Sequence, residues 1–285
     1  MGNQITLSDV VFTDTSLPVL RDDPLLSSGS LILVDAGHTK GRLSGGPSNG
    51  ALVNNIAGSI AAEIVGSASV SPDIATGFAS NAMLPELTAK GGLHVIKSKV
   101  NDLNNTCFTL RIPAAIKAYL LANKSHSFYF SIWQQVTRKF DAADMPLAVL
   151  AEAAYTNNFL INIQVNGDPG GASTNLLGKA SNLDPTVVTG PAKHQLAISK
   201  ATGTLTNMAY TDLFIFGGCP SAGVMNSALH KGGSQILYRV YLEDLTVSGR
   251  AYADVKAQDD ALYQGAFAPG GKFYGDTYTD PATLP

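Results

Sequence analysis

Residues 34–50 carry five glycines and a lysine, a composition that could hold a phosphate group. The stretch reads VDAGHTKGRLSGGPSNG. A phosphate-binding loop of the nucleotide-hydrolase type needs G-x-x-x-x-G-K-[ST], whereas Lys40 is followed by Gly41 and the glycine spacing differs. The dinucleotide pattern G-x-G-x-x-G does not occur in this stretch either. We therefore predict that the glycines let the chain turn sharply or lie against another backbone; they are Gly37, Gly41, Gly45, Gly46 and Gly50.

The acidic residues and histidines lack the spacing of hydrolytic sites. Glycoside hydrolysis needs two carboxylates on the walls of one cleft, but Glu243 and Asp244 are adjacent on a predicted strand and would point to opposite faces. Glu86 and Glu152 have no acidic neighbour in the sequence, and H-E-x-x-H does not occur among the five histidines. We predict no catalytic residues and a protein that is not an enzyme, with polysaccharide degradation as the weakest alternative.

Three aspartates in predicted turns could offer oxygen ligands to Ca²⁺, namely Asp141, Asp144 and Asp168. A hard cation takes six or more oxygens, so three scattered carboxylates indicate turn formers instead. Cys107 and Cys219 are predicted to be reduced core residues, with a disulfide as the alternative. We predict neither a metal nor a cofactor.

Two groups of loop residues could contact a glycan. An aromatic ring can pack on a sugar while neighbouring amides or carboxylates bind its hydroxyls. The first group is Tyr155, Asn157 and Asn158 in YTNNF, and the second is Tyr210 and Asp212. Trp133 lies inside a predicted strand and is assigned to the core. The favoured interpretation of each of the five candidates is an ordinary loop residue.

Composition limits the kinds of partner. Charged residues make up 14% of the chain, against about 25% in an average protein, which favours a surface covered by partners. The net charge of −3 and the lack of basic clusters predict no nucleic-acid partner. No apolar run approaches 18 residues, and the first residues lack a charged leader with an apolar segment, so we predict neither export nor membrane insertion.

Short strands dominate the predicted secondary structure. SLILVD at 30–35 reads as a buried strand, and SFYFSIWQQV places Phe128, Phe130 and Ile132 on one face and Trp133 on the other, as in a central strand. Further strands are predicted after residue 146. Helices are predicted for PAAIKAYLLANK, for the stripe at Leu52, Ile56, Ile60 and Ile64, and near the C-terminus, between Ser248 as N-cap and Gly265. Residues 67–92 read as irregular chain.

These elements predict a mainly β protein with two parts. Residues 1–92 form an N-terminal extension or docking arm without a core of its own, and residues 93–285 form a jelly-roll sandwich with one short C-terminal helix and a tail. We expect the sandwich to fold after deletion of residues 1–90.

Two sets of residues carry a resemblance to known families. NNFLINIQV, KHQLAISK, DLFIFGG and ILYRVYLEDLTVSGRAYADVKAQDDALY resemble the second half of laminin-G-like, concanavalin-A-like jelly rolls. YRVYLEDLTVSGR…YADV, together with LRDDPLLSSGSLILVDAGH…NIAG, is similar to virion proteins of tailed bacteriophages and prophages. The first resemblance covers residues 93–265, and the second involves both ends of the chain.

The resemblance implies a structural protein of the virion, assembled in the bacterial cytoplasm. It implies a place in the tail, baseplate or fibre, with contact to host-surface glycans; the alternative is a protein that decorates the head. The implied partners are other virion proteins, bound through the N-terminal arm, and further copies of the same chain, with a trimer as the expected oligomer. Fold alone does not fix a function.

Overall fold

The computed structural model describes residues 21–41, 43, 46–76, 81–101, 108–139, 146–152, 158–164, 175–181, 190–216 and 232–284. These residues form twelve strands in two antiparallel sheets, together with four α-helices. The strands are β1 Ser30–Val34, β2 Asp73–Thr76, β3 Met83–Leu87, β4 Leu93–Lys97, β5 Phe108–Arg111, β6 Phe128–Arg138, β7 Pro146–Ala151, β8 Phe159–Gln164, β9 Leu176–Ser181, β10 Ala192–Ile198, β11 Tyr210–Phe216 and β12 Ser234–Asp244. The helices are α1 Gly58–Val65, α2 Ala114–Ala122, α3 Leu245–Ser248 and α4 Tyr252–Phe267. Within the described ranges, no helix combines the length and the apolar character needed to cross a membrane.

The larger sheet, sheet A, has seven strands in the order β3-β4-β12-β6-β10-β9, with β1 paired to the second half of β12. Sheet B has five strands in the order β2-β5-β11-β7-β8. The prediction of a mainly β protein is confirmed. The long central strands β6 and β12 pair with each other over most of their length, so they form the frame on which the other elements pack.

Sheet A is apolar on both faces of β6, as its sequence predicts. Phe128, Phe130 and Ile132 belong to the main core between the sheets. Tyr129 and Trp133 point to the opposite face, where they pack against residues of α4. Trp133 is 1% exposed, which confirms its assignment to the core. The face of sheet A that points away from sheet B is called the outer face below.

The described residues before residue 93, called the leading residues below, contribute strands to both sheets. β1 pairs with β12 and β3 with β4 in sheet A, while β2 pairs with β5 in sheet B. The prediction of irregular chain over residues 67–92 is therefore wrong, since β2 and β3 lie there. Their sequences, DIAT and MLPEL, show little alternation, and they become strands because long-range partners supply the hydrogen bonds. The predicted boundary between residues 92 and 93 falls between the paired strands β3 and β4.

Two predicted helices have different bounds in the structure. The stripe from Leu52 to Ile64 is helical only in α1, and Leu52 is 65% exposed. Near the C-terminus, Ser248 closes the separate helix α3 instead of starting the long helix. Gly249 has a left-handed φ of 69°, which ends α3 and redirects the chain before α4 begins at Tyr252. α4 continues past Gly265 to Phe267.

Two glycines of the glycine-rich stretch lie close to main-chain atoms, Gly37 against a distant segment and Gly41 against the beginning of the stretch itself. A Cβ atom at Gly37 would overlap the carbonyl oxygen of Lys90, and one at Gly41 would overlap the carbonyl oxygen of Asp35. At these two positions the predicted close approach of backbones is confirmed, because a larger residue would collide with main-chain atoms. Gly45 lies outside the described residues.

Candidate functional site

The outer face of sheet A holds a collection of ionisable groups, most of them buried. Six segments meet there: residues 21–35, the strands β6, β10 and β12, residues 250–267 with helix α4, and the C-terminal residues 269–284. We call this collection the outer polar layer. Its charged members are Asp23, Asp35, Lys193, Arg239, Glu243, Arg250, Lys256, Asp259, Asp260 and Lys272.

Arg239 on β12 lies at one end of the layer and binds two aspartates from the leading residues. Its Nη2 is 2.6 Å from Asp23 Oδ1, and its Nη1 is 3.7 Å from Asp35 Oδ2. The guanidinium also lies 4.7 Å from the centre of the Trp133 ring, a cation–π contact. Lys272 from the C-terminal residues donates to Asp35 at 2.5 Å. This group therefore ties the start and the end of the described chain to β12.

Glu243, four residues after Arg239 on the outer face of β12, binds the same leading segment. Its fully buried carboxylate accepts hydrogen bonds from Ser27 at 2.7 Å, from Tyr241 at 2.9 Å and from Arg250 Nε at 2.9 Å. Burial and the charge of Glu243 raise the pKa of Tyr241 far above its ordinary value, so the phenol stays protonated and donates.

Asp244, the next residue, binds different groups. Its carboxylate accepts from Tyr119 at 2.8 Å, lies 2.7 Å from His126 Nδ1, and caps α3 through the backbone N–H groups of Thr246 and Val247. Glu243 and Asp244 therefore do not share a cleft, and a glycosidase pair is not formed here.

Asp259 of α4 is buried against the aromatic outer face. Its carboxylate accepts from Tyr129 at 2.7 Å and from Trp133 Nε1 at 3.0 Å, and it lies 3.3 Å from Lys193 Nζ. Lys193 also pairs with Asp260, which forms an i,i+4 pair with Lys256 at 2.5 Å. Burial, followed by the charge of Asp259, raises the pKa of Tyr129 well above its ordinary value. These bonds fix α4 on sheet A.

Positive and negative charges balance in the outer polar layer. Five carboxylates face five cations, and each carboxylate has at least one cation within 4.0 Å. Buried charges are tolerated when they are paired and hydrogen-bonded, and removing one partner is costly. Because the charged groups of the layer bind one another, they join distant segments of the chain and do not form an open reaction centre.

A second cluster has the residue types of a nucleophilic triad. His94 Nδ1 is 2.7 Å from Glu86 Oε1, and His94 Nε2 is 2.8 Å from Ser234 Oγ. Burial lowers the pKa of His94, although Glu86 opposes this effect, so the ring is neutral at neutral pH. A neutral ring that donates to Glu86 can accept a proton from a serine hydroxyl.

The residues around this cluster shield it from solvent. Ser234 and His94 are fully buried, and Thr137 contacts both Ser234 and His94 Nε2. The ring of Tyr278 lies edge-on to His94 at 5.1 Å. Thr279 donates its backbone N–H and its hydroxyl to Glu86. A substrate would have to displace the C-terminal residues to reach Ser234, so the geometry supports an internal hydrogen-bond relay that holds those residues on β3 and β4.

A third polar group lies between β6, β9 and β10. His194 is fully buried; its Nε2 is 2.7 Å from the Gln134 amide, and its Nδ1 is 2.7 Å from Ser181 Oγ. Gln235 donates to the oxygen of the Gln134 amide at 2.8 Å. The Gln134 nitrogen therefore donates to His194, which requires the neutral ring. Burial lowers the pKa of His194 to about 4.

The residues predicted to contact a glycan lie in different environments in the structure. Asn158 donates its amide N–H to Glu152 at 2.8 Å and accepts from the Thr204 N–H at 3.1 Å, so the amide is already engaged. Asp212 is 4% exposed, which removes its carboxylate from the surface. Tyr210 begins β11 and is partly buried against the main core. Tyr155 and Asn157 lie outside the described residues. Tyr210 begins β11 and Asn158 directly precedes β8; these two strands lie on opposite sides of β7, where Ala151 pairs with Tyr210 and with Phe159.

The remaining candidates from the sequence are placed as follows. Cys107, Cys219, Asp141, Asp144 and Asp168 lie outside the described residues. Within the described ranges, no three His, Cys, Asp or Glu side chains are grouped so as to hold a metal ion.

Two further features of the sequence can be judged only from the structure. The pattern G-x-S-x-G occurs at residues 46–50, but Ser48 is exposed and lies in an irregular stretch without the strand-to-helix turn of a nucleophile elbow. The outer polar layer has a weak signal in YRVYLED, where Arg239, Tyr241 and Glu243 alternate with apolar residues and so share one face of a strand. Their partners come from distant segments, so the sequence does not show them.

Comparison with known proteins identifies no family. No family model matches this sequence, and no curated protein matches it.

Proposed function

We propose that this chain is a non-enzymatic structural protein of a tailed-bacteriophage virion, associated with the tail, baseplate or fibre. The outer polar layer is the observation that carries the proposal. Its buried and mutually paired charges bind the leading residues, the long strands and the C-terminal residues into one body. A component of a virus particle must keep its fold under mechanical stress, and it has no catalytic cycle that requires an open site. A fold whose segments are tightly joined suits this role.

The residues that resemble virion proteins support the same proposal. They occur in two stretches near opposite ends of the sequence, and these stretches contact each other directly: β1 pairs with β12, Asp23 binds Arg239, and Ser27 binds Glu243. A resemblance in two distant stretches is more informative when those stretches form one structural unit, since both then specify the same contacts.

We further propose that the two sheets follow a laminin-G-like jelly-roll arrangement. Two antiparallel sheets that enclose one apolar core, with long central strands, support this arrangement. The expected partners are other virion proteins and further copies of this chain, with a trimer as the expected oligomer and assembly in the bacterial cytoplasm. The low charged fraction of 14% supports extensive covered surface.

The contacts of Asn158 and the burial of Asp212 give no support to a glycan site at those residues, so the proposal is confined to a structural role. It is tested by mass spectrometry of purified phage particles from the bacterium that encodes the chain. We expect the chain in the tail fraction, in a fixed ratio to other tail proteins. Recovery in the head fraction alone would favour the head-decoration alternative. Absence from the particles would refute the proposal.

A control experiment addresses catalysis. Purified full-length chain is incubated with host surface polysaccharide and, separately, with a fluorophosphonate probe that labels activated serines. We expect no release of sugar and no labelling at Ser234, because that hydroxyl is fully buried. Hydrolysis, or labelling that disappears in Ser234→Ala, would revive an enzymatic function.

A further inference from the structure

A surface groove runs between α1 and residues 21–28, and we call it the α1 groove. It encloses about 360 Å³. Leu26, Ile56, Ile60 and Ile64 form its apolar part, and its charged lining residues are Arg21, Asp22 and Glu63. None of these residues belongs to the charged members of the outer polar layer. The groove is therefore a separate feature of the surface.

The apolar part of the groove lacks complete cover. Ile56 is 6% exposed, but Ile60 and Ile64 of α1 are only half-buried. They belong to the apolar stripe formed by Leu52, Ile56, Ile60 and Ile64 in the sequence. Covering half-buried isoleucines with another apolar segment is favourable, at about 25 cal/mol per Å² of apolar surface removed from water.

The chain itself supplies a segment of matching chemistry at this place. Arg21 lies in the groove wall, so residues 1–20 leave the described structure at the groove. Nine of those 20 residues are apolar, including Val10, Val11 and Phe12, and the segment carries two acidic and no basic residues. Fully extended, 20 residues span roughly 70 Å. A compact chain of this length has a radius of gyration of about 19 Å, so the segment is long enough to reach a neighbouring molecule.

We propose that residues 1–20 of one copy of this chain lie in the α1 groove of a second copy. A neighbouring copy is the expected source of the segment, because the low charged fraction of 14% favours a surface covered by partners. This inference rests on the proposed function, because it supplies the contact by which copies assemble.

Cysteine cross-linking of full-length protein tests the contact. In a Cys107→Ser, Cys219→Ser background, one population carries Ser59→Cys in the α1 groove and another carries Val11→Cys. Mixing and mild oxidation are expected to give a disulfide-linked dimer with one molecule of each kind. Tyr274→Cys, an exposed position outside the groove, replaces Ser59→Cys in the control. Dimer yield no higher than this control would overturn the proposal.

A single chain carrying both Ser59→Cys and Val11→Cys, diluted with excess unsubstituted protein, distinguishes the two origins of the segment. An internal disulfide under these conditions would show that the segment folds back on its own chain, contrary to the proposal.

A second measurement does not depend on the cysteine background. Ile60→Asp places a charge in the groove and is expected to weaken self-association at least about tenfold in sedimentation experiments. Val100→Asp places the same charge at an exposed position outside the groove; it is the matched control and is expected to associate as the unsubstituted chain does. Equal association of both variants would contradict the proposal. Particle location and cross-linking are read separately, so the proposed function and this contact can fail independently.

Discussion

Asp23 and Arg239 are 216 positions apart in the chain, and their side chains form a buried ion pair with 2.6 Å between Oδ1 and Nη2. Asp35 and Lys272 extend this pair to four charges. The arrangement joins Asp23 and Asp35, which flank β1, to the last strand of sheet A and to the C-terminal residues. It therefore holds the two ends of the described chain together.

Arg239→Met is expected to lower the free energy of unfolding by about 3–5 kcal/mol, because it leaves Asp23 and Asp35 short of a cation in a buried place. Urea unfolding followed by circular dichroism gives the value. Lys40→Met is the matched control: it breaks the exposed pair between Lys40 and Asp22 and is expected to cost about 1 kcal/mol or less. Similar losses in the two variants would argue against a stabilising role for the buried network.

Asp259→Ala is expected to destabilise the fold by about 2–4 kcal/mol, since Tyr129 and Trp133 lose their buried acceptor. Trp133 is the single tryptophan of the chain, so its fluorescence reports directly on this site. A double-mutant cycle with Tyr129→Phe is expected to show a coupling energy of about 1–2 kcal/mol. Asp254→Asn, in the first turn of the same helix, serves as the control. Additive effects of Asp259→Ala and Tyr129→Phe would mean that the hydrogen bond contributes nothing measurable.

Acid is expected to weaken the fold through His194. Its folded pKa of about 4 lies below the ordinary value of 6.5, so the unfolded chain binds more protons between these pH values. The contribution of this histidine is complete above pH 6.5 and is lost as the pH falls through 4, up to about 3 kcal/mol. The pH dependence of unfolding should therefore be shallower in His194→Asn than in the unsubstituted chain.

His94 contributes in the same direction, since burial also lowers its pKa. The difference between His194→Asn and the unsubstituted chain isolates the effect of His194. Thr39→Asn, which replaces an exposed residue without an ionisable group, is the control and should keep the full slope. A slope unchanged in His194→Asn would show that this ring does not stay neutral in the folded protein.

A truncated chain of residues 93–285 is expected not to fold cooperatively. It would lack β1, β2 and β3, and it would leave Arg239 without Asp23 and Asp35. The sequence alone suggests the opposite outcome, namely an independent sandwich after residue 92. A chain of residues 21–285 retains these strands and is the control expected to fold. A sharp urea transition for residues 93–285 would restore the boundary at residue 92.

Sequence patterns predicted the elements whose own residues show the periodicity of a strand or a helix. The two-sided apolar run from Phe128 to Trp133 predicted the central strand β6, and the spacing of Ile116 and Leu120 predicted α2, where both residues are buried. The strands β2 and β3 carry no such pattern. Their hydrogen bonds come from β5 and β4, and no residue within the strands indicates those partners.

The sequence by itself determined that this protein is mainly β, since many short strands separated by turn residues, with few helices, are typical of a β fold. It indicated close approaches of backbones in the glycine-rich stretch, but only the structure showed that they occur at Gly37 and Gly41 and not at Gly46 or Gly50. Only the tertiary structure decided that the leading residues belong to both sheets and that ten charges pair on the outer face of sheet A. The physical reason is that ion pairing depends on distance in space, and a separation of 216 residues along the chain leaves no local trace of a contact of 2.6 Å.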